Sequence, residues 1–229
     1  MADKKQVQDS EQSEVIIAQA KDFWTRNSKW ILGVGTILVL AVGGWFFYKN
    51  FVVKPKEEKA AELMWKAEEY FRMDSSRLAL NGDGQNPGFL SIISKYGGTD
   101  AGNLANYYAG VCYLKQNDNQ NAVKYLKKFD SDAKQIQQRA YKLLGDAYGD
   151  LGNNKEAMEY YKKAAHHFEA DKQSSAEALG MAAYFAEKMV KDQKEAIALY
   201  TELKKKFPNT DEGRAADKYL GRLGVYNVN

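Results

Sequence analysis

The stretch QRAYKLLGDAYGDLGNNKEAMEYYKKA, Gln138–Ala164, decides the fold. Small and apolar residues recur at helical spacing on both sides of a short polar turn, GDLGNN, whose glycines and asparagines break the pattern. NLANYYAGVCYLKQNDNQNAVKYLKKF, Asn103–Phe129, aligns with it. Gly110 then matches Gly145, Tyr113 matches Tyr148 and Ala122 matches Ala157, each pair 35 residues apart. Gly180 follows Gly145 by 35 again, and KEAIALYTELKKKFPNT repeats KEAMEYYKKA. Ala196 follows Ala157 by 39, so the third unit carries about one extra helical turn. Each unit reads as a helix, a polar turn (QNDNQN, GDLGNN, VKDQK) and a second helix. The Gly and Ala positions let the two helices approach closely, and Tyr113, Tyr148 and Tyr161 fill the space between pairs.

This pattern resembles the tetratricopeptide repeat, in small residues, aromatics and a closing proline: LLGDAY (Leu143–Tyr148), Ala157, Tyr161, Ala164 and Pro208 carry it. The resemblance implies an all-α solenoid of three repeats over 103–208. It extends over 56–102 as a degenerate first unit interrupted by a loop at 74–86. One helix pair cannot bury its own apolar face, so stacked units and a cap are required. Residues 209–229 supply the cap, with Ala215, Ala216, Tyr219 and Leu220 facing inwards. No alternating β-branched run of strand length occurs. Pro55 and Pro87 are expected to open helices and Pro208 to follow one. In the first of these helices Ala60, Leu63, Met64, Ala67 and Phe71 share a face.

Ahead of the repeats lies WILGVGTILVLAVGGWFFY, Trp30–Tyr48, without a charge. The surrounding chain is polar, with a mean hydropathy of −0.59 overall. As a helix the run spans about 28 Å, the thickness of a bilayer's hydrocarbon core. Trp30 at one end, with Trp45 and Tyr48 at the other, stand where an interfacial aromatic belt belongs. The apolar run continues past the small residues at Ala41–Gly43, which argues against a cleaved signal. The reading is an uncleaved anchor at 30–48, between a tail (1–29) and a linker (49–55). In the tail, Ser13 is expected to cap a helix with Ile16, Ala20, Phe23, Trp24 and Asn27 on one face; it either serves as an amphipathic segment, lying on the membrane or docking a partner, or extends the anchor. Lys49, Lys54, Lys56, Lys59 and Lys66 outnumber Lys21, Arg26 and Lys29, so the charge count leans towards a cytoplasmic C-terminal side. Long domains translocate largely regardless of such charges, so both orientations stay open.

Lys and Arg total 33 against 30 Asp and Glu, distributed on both sides of the anchor without the one-sided basic field of a nucleic-acid binder. The single cysteine, Cys112, excludes an intrachain disulfide framework and reads as a packed thiol. His166 and His167 diverge by about 100° on a helix and read as surface histidines, not metal ligands. Asn81–Gly84 gives an incomplete calcium-loop pattern, and no phosphate loop occurs. The lysines at 204–206 read as solvated helix surface. No catalytic residue, metal site or cofactor is expected.

The expected activity is protein binding in a groove. By repeat register Tyr107, Val111, Leu114 and Lys115 point there from the first full unit. Arg139, Lys142 and Asp146 do so from the second, and Glu177, Met181 and Tyr184 from the third. A mixture of aromatic and charged side chains suits peptide segments. A tail, one apolar helix and KYGGTDAGNLA (95–105) leading into repeats is similar to the bacterial YfgM-like family. KKFPNTDEGRAA (205–216) resembles repeats of periplasmic proteins such as YbgF. The YfgM-like resemblance implies an inner-membrane signal-anchor, a periplasmic repeat domain, and protein partners. Those partners would be Sec translocon subunits, a membrane-anchored chaperone and emerging polypeptides. The residues also allow a cytoplasm-facing adaptor or a self-assembling structural protein of the envelope.

Overall fold

The structure, a computed structural model, describes the backbone of residues 2–226 and the side chains of 17–18 and 21–226. All regular structure among these residues is helical, and the chain divides into two compact units, Met1–Pro55 and Lys56–Asn229.

The first unit holds α1 (Ala2–Tyr48), followed by a π-helical turn, Lys49–Val53. The helix is unbroken through Ser13, so that residue begins no helix of its own; of the two expectations for the tail, the backbone shows the continuation into the apolar run. The side chains of Ser13, Ile16 and Ala20 lie outside the described ones. Phe23 and Trp24 are exposed, and Asn27 donates to the Phe23 carbonyl. Trp30, Trp45 and Tyr48 are all exposed, Trp30 by 78%. The polar side chains along this stretch bond to their own helix: Thr36 Oγ1 donates to the Leu32 carbonyl at 2.8 Å, and Asn50 to that of Phe46 at 2.9 Å. Apolar groups facing outwards all round, with polar groups satisfied internally, is the arrangement a hydrocarbon solvent demands. It is the one helix among the described residues long and apolar enough to cross a membrane.

The second unit comprises α2 (Lys54–Arg72), α3 (Ser76–Asn81), α4 (Phe89–Tyr96), α5 (Asp100–Lys115), α6 (Asn119–Leu126), α7 (Lys134–Asp150), α8 (Asn154–His167), α9 (Lys172–Tyr184), α10 (Gln193–Lys206) and α11 (Asp211–Arg222). Three helix pairs, α5/α6, α7/α8 and α9/α10, stack in order, and α11 closes the series against α10. The glycines act as expected in two pairs. A Cβ on Gly110 would lie 2.4 Å from Leu126, and one on Gly145 2.7 Å from the ring of Tyr161. Gly180 differs: its nearest neighbour, Glu212, stands 3.6 Å away, so no close helix approach requires glycine there. Three helices, α6, α9 and α10, begin on an aspartate cap. Asp118, Asp171 and Asp192 accept the amides of Asn121, Ser174 and Glu195 and satisfy otherwise orphaned donors. In α11, Ala216 and Leu220 are buried and Tyr219 stacks on Tyr200 at 4.9 Å, while Ala215 is half-buried.

The four-residue surplus of the third unit is a π-helical segment, Phe185–Val190, which lengthens its first helix and ends at Lys191 with φ 62°. Two expectations need correction. The segment 74–86 is not all loop, because it contains α3, whose Ala79 and Leu80 are buried against α5. Pro87 does not open a helix either; it lies two residues ahead of α4 and bridges to Gly82. Asp83 organises this turn by accepting the amides of Gln85 and Asn86, the Asn86 side chain and the Tyr70 hydroxyl, the last at 2.6 Å. These donors, led by the Asn86 amide, hold its carboxyl far below the usual carboxylate range.

A pH dependence follows. A depressed carboxyl pKa stabilises the fold fully above the unfolded value, about 4, and is lost as pH falls below it. Asp83→Ala is therefore expected to lower the denaturation midpoint at pH 7, with the gap to the wild type closing between about pH 4 and pH 2. A gap that stays constant through that range would remove Asp83 from the account.

Candidate partner-binding groove

The first helices of successive pairs, α5, α7 and α9, and then α11, leave three notches between them. The α5–α7 notch, about 440 Å³, is lined by Phe71, Tyr107, Tyr108, Val111, Gln135, Ile136 and Arg139. The α7–α9 notch, about 390 Å³, shares Arg139 and adds Lys142, Gln138, Ser174 and Glu177. The α9–α11 notch, about 530 Å³, shares Glu177 and adds Met181, Tyr184, Lys218, Tyr219 and Arg222. The shared residues join the notches into one groove.

Seven of the ten residues expected from repeat register line it: Tyr107, Val111, Arg139, Lys142, Glu177, Met181 and Tyr184. Tyr107 does so as floor rather than wall. It is 6% exposed and packs on Phe129 at 5.3 Å between ring centroids. Burial raises its phenol pKa, against the opposing pull of the Arg139 charge. The other three serve the scaffold. Leu114 packs among the core side chains of α5–α8. Lys115 pairs with Asp74 at 2.5 Å and lies over the ring of Phe71. Asp146 accepts the Tyr161 hydroxyl at 2.7 Å and stands 3.7 Å from Lys142. Lys142 also reaches Glu177 at 3.3 Å, across the middle notch. Beneath it, buried Gln138 donates to the Ala164 carbonyl and to Ser175 Oγ, tying α7, α8 and α9 together.

Register alone missed Phe71, which comes from the degenerate unit, and Lys218 and Arg222, which come from the cap. The repeat signature assigns no groove role to either segment.

Cys112 is fully buried, and desolvation pushes its thiol up to about 11, so it is a packing group. The histidines are not both surface residues: His167 is half-buried with its ring edge-on to Tyr141. His166 is exposed and meets Glu202 at 2.9 Å. With Glu169 these form the one group among the described residues whose donor atoms are close enough to share a cation, within 4.8 Å. The Lys206 ammonium already sits there, 2.6 Å from Glu169 and 3.0 Å from Glu202. Lys206 is thus tied into an ion network joining α10 to the α8–α9 turn, not simply solvated. Glu202 is its i,i+4 neighbour on α10, but Glu169 lies 37 residues away in sequence, and His166 36 from Glu202, so spacing did not reveal the network.

A family model described as a tetratricopeptide repeat-like domain matches residues 21–141, more than half of the sequence. The chain belongs to this family. A second model, tetratricopeptide repeat, matches residues 177–210, which covers most of α9, the π-helical extension and α10. Between the two matches, α8 packs on α7 and α9 in the same pairwise way, so the tetratricopeptide array is continuous. Comparison with curated proteins found no match. The protein is a helical-repeat scaffold for protein–protein interaction, with an N-terminal helix able to span a membrane.

Proposed function

We propose that this tetratricopeptide-repeat protein is a single-pass signal-anchor scaffold of a bacterial inner membrane. Its repeats face the periplasm and hold protein partners in the groove. Those partners are Sec translocon subunits and a membrane-anchored chaperone, and through them emerging polypeptides. The observation that carries the reading is the extent of the first family match. It starts at residue 21, ahead of the apolar run, and continues into the repeats, which supports anchor and groove acting as one functional unit. Tethering confines the groove to the membrane surface and raises its effective concentration, so weak individual contacts suffice. The YfgM-like stretch at 95–105 supplies the periplasmic side. The excess of lysines after the anchor favours the rival, a cytoplasm-facing adaptor.

Sidedness separates the two. Cys112→Ala removes the only thiol, and Asn153→Cys places one in the exposed α7–α8 turn, where the native side chain makes no capping bond. Intact bacterial cells with a permeabilised outer membrane are treated with a membrane-impermeant maleimide. Labelling without lysis is the expected result. Labelling only after lysis would sink the periplasmic reading and move the search to cytoplasmic partners.

A further inference from the structure

We propose that the groove takes an acidic segment bearing two apolar anchors, one seated in the α5–α7 notch and the other in the α9–α11 notch. The inference rests on the groove being the partner-binding surface. Its starting point is which charges along the groove are already engaged. Lys142 is held by Asp146 and Glu177. Lys188 and Arg222 share Glu187, at 2.7 and 2.5 Å. On the acidic side, Asp171 caps α9 through the Ser174 amide and hydroxyl, and Glu212 accepts from Gln173. Arg139 and Lys218 are exposed and have no ion pair or side-chain hydrogen bond among the described residues. The uncommitted charge of the groove is positive, and it sits at both apolar notches.

Each of these cations borders an apolar wall. Arg139 adjoins Tyr108, Val111 and Ile136, and Lys218 adjoins Met181, Tyr184 and Tyr219. The notch between them is polar, with Gln135, Gln138 and Ser174. Read along the groove, the sequence of chemistry is apolar with a cation, polar, then apolar with a cation. An apolar side chain with a neighbouring carboxylate matches each end, whereas a basic segment would meet two unpaired cations and carboxylates that already accept hydrogen bonds or ion pairs. With a repeat step on the order of the 8–10 Å between packed helices, two steps cover about 16–20 Å, which an extended chain rising about 3.3 Å per residue crosses in about five to six residues.

The test uses the full chain in lipid nanodiscs and a fluorescent synthetic peptide of about fourteen residues, with two Phe about six apart and Glu beside each. Its counterparts replace every Glu by Gln, every Glu by Lys, or both Phe by Ala. The acidic peptide is expected to bind about tenfold more tightly than the Gln counterpart at low salt, with the difference shrinking as salt screens it. Arg139→Gln and Lys218→Gln should each weaken it by about three- to tenfold and leave the Gln counterpart unchanged. Lys163→Gln, outside the groove, should change neither. Equal binding of the Glu, Gln and Lys peptides, or no effect of either groove substitution, would overturn the acidic class while the groove reading stands. If none of the four peptides binds, the groove reading fails and the acidic class fails with it.

Discussion

Tyr161→Ala is expected to cost the repeat unit about 3–5 kcal/mol, the range for removing a buried aromatic from a core. Tyr161 is 2% exposed and stands at the centre of the second helix pair. Its ring fills the space that Gly145 leaves open on α7, and lies 5.3 Å from the ring of Phe185 in the π-helical extension of α9. Its hydroxyl donates to Asp146 at 2.7 Å. Burial, reinforced by that carboxylate, raises the phenol pKa far above its ordinary value, so the group stays a neutral donor. Removing the ring therefore opens a cavity shared by two successive repeats. Tyr161→Phe keeps the packing and loses only the hydrogen bond, while Asp146 retains Lys142; about 1 kcal/mol is expected. In an array stabilised by nearest neighbours, the loss should appear as faster hydrogen exchange in α7–α10 before the α2–α5 end responds. A cost below about 1 kcal/mol for Tyr161→Ala would mean that the ring is not the wedge between the pairs.

Gly102→Ala and Gly213→Ala should each destabilise by about 2–3 kcal/mol, although alanine is the better helix former by about 1 kcal/mol. The two glycines occupy equivalent places in TDAG and TDEG, at the third position of α5 and of α11. Thr99 accepts the Gly102 amide and donates to the Tyr96 carbonyl; Thr210 accepts the Gly213 amide and donates to that of Phe207. The chain doubles back so closely that a Cβ at Gly102 would stand 2.0 Å from the Tyr96 oxygen, and one at Gly213 1.9 Å from that of Phe207. Backbone atoms cannot rotate aside as a side chain does. Thr99→Ala, which removes the cap and the hydroxyl's bond to Tyr96 but introduces no close approach, should cost about 1–2 kcal/mol. Thermal melts of the four chains in detergent would rank them, and a Gly213→Ala chain as stable as the wild type would refute the close-approach argument.

The same TDxG element at the first full repeat and at the cap accounts for how far the sequence reading reached. The caps, the glycines at Gly110 and Gly145, and the inward face of α11 follow from local rules, because each involves atoms within one helix pair or one turn. Features that depend on contacts outside one helix pair carry no such local signal. In α3 six residues are too few for periodicity to register, and only the contact of Ala79 and Leu80 with α5 makes them helical core. Gly180 carries the repeat spacing without the close approach: it faces Glu212 of α11 and Leu203 of α10 at ordinary contact distances.

The sequence by itself determined an all-α repeat array behind an apolar helix. Helical periodicity, turn residues and hydropathy are properties of consecutive residues, and a repeat copies them. Only the tertiary structure decided that Tyr107 is floor rather than wall, that Asp146 and Lys115 serve the scaffold, and that Arg139 and Lys218 are the uncommitted cations. Those outcomes depend on partners on other elements, such as Phe129 for Tyr107, Tyr161 for Asp146 and Asp74 for Lys115. Their distance in space is fixed by how the helices stack, and no local pattern encodes it.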